Sequence, residues 1–160
     1  YAIENNIDYA IINDYRYPNE SNKKNAYELT LKKYKTDLIL LAGYMKKIPR
    51  NIVENYKNKI INIHPSLLPK YGGTGYYGMK VHEAVIKSND KISGATIHFV
   101  NDYYDKGNII FQKSINIQGY NLDTLSKKIL EIEHEIYPIV VKAFCENKIK
   151  INNNKVEIKK

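Results

Sequence analysis

Apolar positions recur along this chain in two alternating rhythms. Residues 37–42, Asp-Leu-Ile-Leu-Leu-Ala, form an apolar run, the pattern of a strand buried on both faces of a parallel sheet. Residues 59–64 are rich in isoleucine and stop at Pro65, and residues 95–100 and 109–117 are again apolar and β-branched. All three read as strands. Between them the period becomes helical. Pro49 suits the first turn of a helix reaching residue 56, and residues 80–88 set Val81, Ala84 and Val85 on one face. From Asp123 the spacing of Leu125, Ile129, Ile132 and Ile136 marks an amphipathic helix, which Pro138 should kink or restart.

Weaker signals frame these elements. Residues 1–6 read as the tail of a helix, 7–12 as a strand and 13–22, with Pro18, as a loop. Residues 26–35 read as a helix with Leu29 and Leu31 among its few apolar anchors. Gly43 releases the first buried strand, and residues 71–78 are a glycine-rich loop. Near the end, Ile149-Lys150-Ile151 and Val156-Glu157-Ile158 flank Asn152-Asn153-Asn154 as a hairpin. Strands alternating with helices predict an α/β fold. No repeat or long linker divides the chain, so residues 1–160 are expected to be a single domain.

Composition narrows the function classes. A hydrophobic content of 43% with 26% charged residues is that of an ordinary globular protein. No run approaches the ~18 apolar residues of a membrane span, and no signal segment opens the chain. Cys145 is the only cysteine, so no internal disulfide forms and a cytoplasmic setting is expected. The net charge of +8 invites a nucleic-acid partner. Arg16 and Arg50 are the only arginines, however, and the lysines are scattered. Neither nucleic acid nor membrane is expected as a partner. The charge suits anionic small molecules, such as a phosphate ester or a polyglutamylated cofactor. Four dispersed histidines and one cysteine give no metal-ligand spacing. No Gly-x-Ser-x-Gly, P-loop or dinucleotide fingerprint occurs.

Candidate chemistry gathers at the end of the second strong strand. Side chains alternate along a strand, so Asn62 and His64 share a side, about 6.6 Å apart. Pro65 biases His64 toward extended backbone, which ends the strand at the histidine. Ligands of open α/β sheets collect at the carboxyl ends of strands. Alone, either residue reads as structural; together, with the Pro-Ser-Leu-Leu-Pro exit, they read as a site. Two carboxylates, Asp102 and Asp105, follow the next strand, and each also reads as a simple turn former.

The segment Asn62-Ile63-His64-Pro65-Ser66-Leu67-Leu68-Pro69-Lys70-Tyr71 resembles the active-site strand of folate-dependent formyltransferases. Its continuation, Gly72-Gly73-Thr74-Gly75-Tyr76-Tyr77-Gly78-Met79-Lys80-Val81-His82, is similar to the phosphoribosylglycinamide formyltransferase branch of that family. Gly94-Ala95-Thr96-Ile97-His98-Phe99-Val100-Asn101-Asp102-Tyr103-Tyr104-Asp105-Lys106-Gly107 resembles the loop bearing the family's catalytic aspartate. The match runs in order from about residue 37 to 144. It implies a Rossmann-like, open, mostly parallel sheet with flanking helices. It also implies transfer of a formyl group from 10-formyltetrahydrofolate, as co-substrate, to the amine of glycinamide ribonucleotide in purine biosynthesis. The alternatives are a formyltetrahydrofolate hydrolase, a formyltransferase for another amine, or a non-catalytic folate or nucleotide binder.

By this resemblance Asn62 and His64 stabilise the oxyanion and Asp105 relays protons. Such a carboxylate is expected to raise the pKa of His64. Met45, Lys46, Lys47 and Ile48 would line a folate pocket with Asn62, Asn101, Asp102, Tyr103, Tyr104 and Asp105. Glu133 would hold the amine-bearing substrate. His98 reads as a structural histidine of the inner sheet, and His82 and His134 as solvated helix residues. The family's first strand and phosphate-cradling glycine loop have no counterpart before Tyr1. The chain is therefore expected to be truncated there, or not to hold a ribosyl phosphate as the family does, and to prefer a folate analogue over the ribonucleotide.

Overall fold

The computed structural model describes residues 1–153 and 155–159. In chain order it contains α1 (Glu20–Lys33), β1 (Ile39–Leu41), α2 (Arg50–Asn55), β2 (Ile60–His64), α3 (Met79–Lys87), β3 (Ile92–Phe99), β4 (Ile109–Asn116), α4 (Leu122–Cys145), β5 (Ile149–Asn152) and β6 (Lys155–Ile158). An open four-stranded sheet has the order β1-β2-β3-β4, and β5 and β6 form a separate pair. The α/β architecture with flanking helices is the one expected. Within the sheet β1 and β2 are parallel, in the register Leu41↔Asn62. β2 with β3 and β3 with β4 pair antiparallel; the connection from β3 to β4 is too short for a parallel crossover.

Ile60 and Ile61 show why the sheet is covered on both sides. Both are fully buried, and successive strand residues point to opposite faces. Ile61 joins the larger core with Ala95, Ile97, Leu125, Ile129, Ile132, Ile136 and Val140. Ile60 joins a second cluster with Leu41, Ile48, Ile52 and Val53. Each such side chain contributes roughly 1.5–3 kcal/mol. The stripe read along α4 is therefore the one that closes the larger core. Its N-terminus is fixed by a capping box in which the Asn121 and Thr124 side chains each bond the other's backbone N–H.

Several expectations are corrected. Residues 7–12 are not a strand; Ile7 and Ile11 are exposed, and no described strand lies beside them to complete backbone pairing. The helix expected from residue 26 begins at Glu20, where the Asn19 side chain accepts from the N–H groups of Ser21 and Asn22. Leu29 faces outward, 68% exposed, while Tyr27 and Leu31, one turn apart, pack on the second cluster. α4 continues through Pro138 rather than restarting there; Val140 and Ala143, buried beyond the proline, keep the helix on the core. The hairpin is present as β5 and β6, although Asn154 lies outside the described residues.

Candidate active site

A cavity of about 260 Å³ opens where β1 and β2 end. Gly43, at φ +66°, turns the chain out of β1 and sends Tyr44, Met45, Lys46, Lys47 and Ile48 along one wall. Ile48 is buried in the second cluster, whereas Met45 is 62% exposed and belongs to the cavity rather than the core. Lys46 and Lys23 of α1 both pair with Asp14, which ties the loop ahead of α1 to this wall. The floor is Asn62, Ile63 and His64 of β2 with His98 of β3. The glycine-rich loop, including Gly73, Tyr76 and Tyr77, and the Asn101, Tyr103, Tyr104 and Asp105 loop close the remaining sides.

Asn62, His64 and Asp105 come together here. His64 is buried, and its Nε2 lies 2.8 Å from the carbonyl of Tyr71. A carbonyl only accepts, so Nε2 carries the proton and donates it. Nδ1 is then the bare nitrogen of the neutral ring, 3.6 Å from Asp105 Oδ1. That separation exceeds a direct hydrogen bond. Burial pushes His64 below its ordinary pKa, and the Asp105 charge and the Tyr71 carbonyl, which favour the cation, do not offset it. The expected upward shift is thus reversed, because desolvation of a ring buried at a strand end outweighs one carboxylate.

Asp105 is held from several sides. Its Oδ2 accepts from the N–H of Gly73 at 2.8 Å. Burial alone would raise its carboxyl, but His98, the Gly73 N–H and His64 together take it below the usual range. It occupies φ +52°, a left-handed position that aspartate tolerates better than most residues. Gly107 explains how the loop returns to the sheet. A Cβ at that position would lie 1.7 Å from the carbonyl oxygen of Phe99.

His98 is a site residue that the sequence reading left as purely structural. It is buried, and it faces Asn62 across the antiparallel register. Its Nδ1 lies 2.7 Å from the Phe99 carbonyl and so carries the proton. Its Nε2 therefore accepts from Asn62 Nδ2 at 3.2 Å. This sets which way the Asn62 amide points, with its second N–H left for the cavity. His98 Nε2 also lies 3.6 Å from Asp105 Oδ1. No pattern along β3 alone could reveal this, since it depends on register with β2.

The exit from β2 is braced by a buried network. Thr96 Oγ1 donates to the Ser66 carbonyl at 2.6 Å and accepts from the N–H of Leu68 at 3.0 Å and from Gln112 Nε2 at 2.8 Å. Ser66 Oγ donates to the Lys70 carbonyl. Two expected residues do not line the cavity. Asp102 is not in the cavity wall, and its charge acts on Arg50 of α2. Glu133 is half-buried on α4 and is not among the residues lining this cavity, with its carboxyl raised to about 7 by burial. His82, expected to be solvated, is buried with no partner for Nδ1, because Val81 and Val85 draw its helix face inward. His134 is exposed, as expected. No group of histidine, cysteine and acidic residues suited to a metal occurs among the described residues.

The formyl transferase family model matches residues 1–141. The chain belongs to the formyl transferase family. A chloroplastic phosphoribosylglycinamide formyltransferase of Vigna unguiculata is 48% identical over 121 residues, covering 75% of this chain and 39% of that protein. The phosphoribosylglycinamide formyltransferase of Haemophilus influenzae is 39% identical, over 74% of this chain and 54% of that one. This formyl transferase chain thus spans between two-fifths and just over half of these relatives. The crystal structure of glycinamide ribonucleotide transformylase 1 from Symbiobacterium toebii superposes with a TM-score of 0.88 at 31% identity, over 99% of this chain and 73% of that one. A formyltetrahydrofolate deformylase from Pseudomonas syringae, 20% identical with a TM-score of 0.87, shares the fold. No described helix is long and apolar enough to cross a membrane.

Proposed function

We propose that this chain transfers the formyl group of 10-formyltetrahydrofolate to the amine of glycinamide ribonucleotide, a step of purine biosynthesis; relatives of the chain are named phosphoribosylglycinamide formyltransferases. The observation that carries the reading is the convergence of Asn62, His64 and Asp105 on one cavity. The 1–160 stretch acts as one formyltransferase domain. The flat pterin of the folate lies against Met45, Ile48 and the Asn101–Asp105 loop, with the formyl carbon over Asn62. The free N–H of Asn62, oriented by His98, donates to the developing oxyanion. Neutral His64 takes the proton of the attacking nitrogen at Nδ1, the nitrogen not committed to a backbone carbonyl. The resulting imidazolium is stabilised by Asp105, which passes the proton on toward the departing folate nitrogen. Glu133 meets the amine substrate. The lone cysteine suits a reducing compartment, and cytoplasmic placement is the reading adopted; two relatives are named as chloroplastic.

The test is an assay of this chain with 10-formyltetrahydrofolate, with and without glycinamide ribonucleotide. Amine-dependent loss of the formyl group supports transfer. Amine-independent release of formate would assign hydrolysis instead, and binding of folate without turnover a non-catalytic role.

A further inference from the structure

Tyr71 meets the site with its backbone and the surface with its side chain. Its carbonyl accepts from His64 Nε2, and the residue holds φ +56°, a conformation that a bulky residue keeps only when its surroundings impose it. Its hydroxyl donates to Asp90 Oδ2 at 2.7 Å. Asp90 also receives Lys70 Nζ, 2.6 Å from each carboxylate oxygen. Asp90 sits in the turn between α3 and β3 and takes no part in the cavity wall. The Tyr71 ring packs edge-on against Tyr76, with centroids 5.9 Å apart. Ser66 Oγ fixes the Lys70 carbonyl from inside, so Asp90, which holds both Lys70 and Tyr71, is the outer of two clamps on this segment.

We infer that Asp90 is a positioning residue for His64: by clasping the Tyr71 hydroxyl it holds the Tyr71 carbonyl where it locks the imidazole in the Nε2–H form. Nδ1 is then the single proton-accepting atom presented to Asp105 and the cavity. Without the clasp Tyr71 relaxes from its left-handed conformation, the carbonyl moves off Nε2, and the ring divides between tautomers. The catalytic part of this inference rests on the transfer reaction proposed above; the tautomer part does not.

The experiment is nitrogen-15 NMR of the histidine rings, together with steady-state kinetics, on the parent chain and four variants. Asp90→Ala and Tyr71→Phe should each move His64 from the pure Nε2–H form to a mixture. They should lower kcat about tenfold or more with KM changed less than about twofold, as a wrong tautomer does. Asp90→Asn, which keeps an acceptor for the hydroxyl, and Lys70→Met, which keeps the clasp but removes the ion pair, should both retain the parent tautomer. If Asp90→Ala does not fold, Tyr71→Phe carries the test. An unchanged His64 tautomer in the variants lacking the clasp overturns the inference. An equal loss in Lys70→Met overturns it too, because general bracing of the loop would then be the cause. Should the parent chain prove inactive in transfer, the NMR arm still decides the tautomer claim.

Discussion

His64, at the end of β2, and Asp105, in the loop after β3, reach each other Nδ1 to Oδ1 at 3.6 Å, with the imidazole turned by the Tyr71 carbonyl so that its bare nitrogen faces the carboxylate. Each group is fixed by a backbone contact, His64 through Tyr71 and Asp105 through Gly73. Preorganisation of this kind removes reorganisation from the reacting step.

His64→Ala should abolish transfer while leaving folate affinity within a small factor, because the ring acts on the proton and the developing charge rather than on the ground state. Single-turnover rates and a folate-analogue titration measure both. Turnover within about tenfold of the parent, a loss of about 1.4 kcal/mol or less, would remove His64 from this role.

Asp105→Asn should be more damaging than Asp102→Asn, since Asp105 alone faces the cavity. Burial already holds His64 low and the Asp105 charge pulls it upward, so the Asp105 change should lower its pKa further. The acid limb of kcat/KM, which in the parent should lie below the ordinary histidine value of about 6.5, should then move to still lower pH. Histidine titration by NMR in both variants checks the direction, and an effect of Asp102→Asn alone would refute the assignment.

Glu133→Gln should stabilise the fold at high pH and leave it unchanged at low pH. Burial raises this carboxyl to about 7 in the folded chain, above the 4.5 of an ordinary glutamate. The folded state therefore binds the extra proton. The stability this lends is complete below about pH 4.5 and is lost as pH rises through about 7. Melting curves at pH 4 and pH 8 should show the variant gaining at pH 8 and not at pH 4, by at most a few kcal/mol.

Gly107→Ala should cost roughly 1–3 kcal/mol of stability, since its Cβ meets a backbone oxygen that has no rotamer to escape into. Activity should fall with it, because the displaced segment carries Asp105. Denaturant unfolding and turnover measured together check the link; a variant of full activity and stability would mean that the loop tolerates another path.

The strong periodic segments of this fold were legible along the chain. A buried run such as residues 37–42, or the stripe from Leu125 to Ile136, is a local property of sequence, and period alone decides which face is apolar. The pairing of Asn62 with His64 was legible for the same reason, since strand alternation spans two residues. Residues 7–12 misled because a strand exists only through a neighbour, and composition does not say whether one is there. The reversed shift of His64, the burial of His82 and the orientation that leaves Asp102 out of the cavity lining each depend on what packs around a group. Only the tertiary structure decided that His98 orients Asn62 and that Tyr71 sets the tautomer of His64. The first is set by the register of β2 with β3, which joins residues 36 apart, and the second by the return of the loop after β2; neither leaves a periodic mark on the chain.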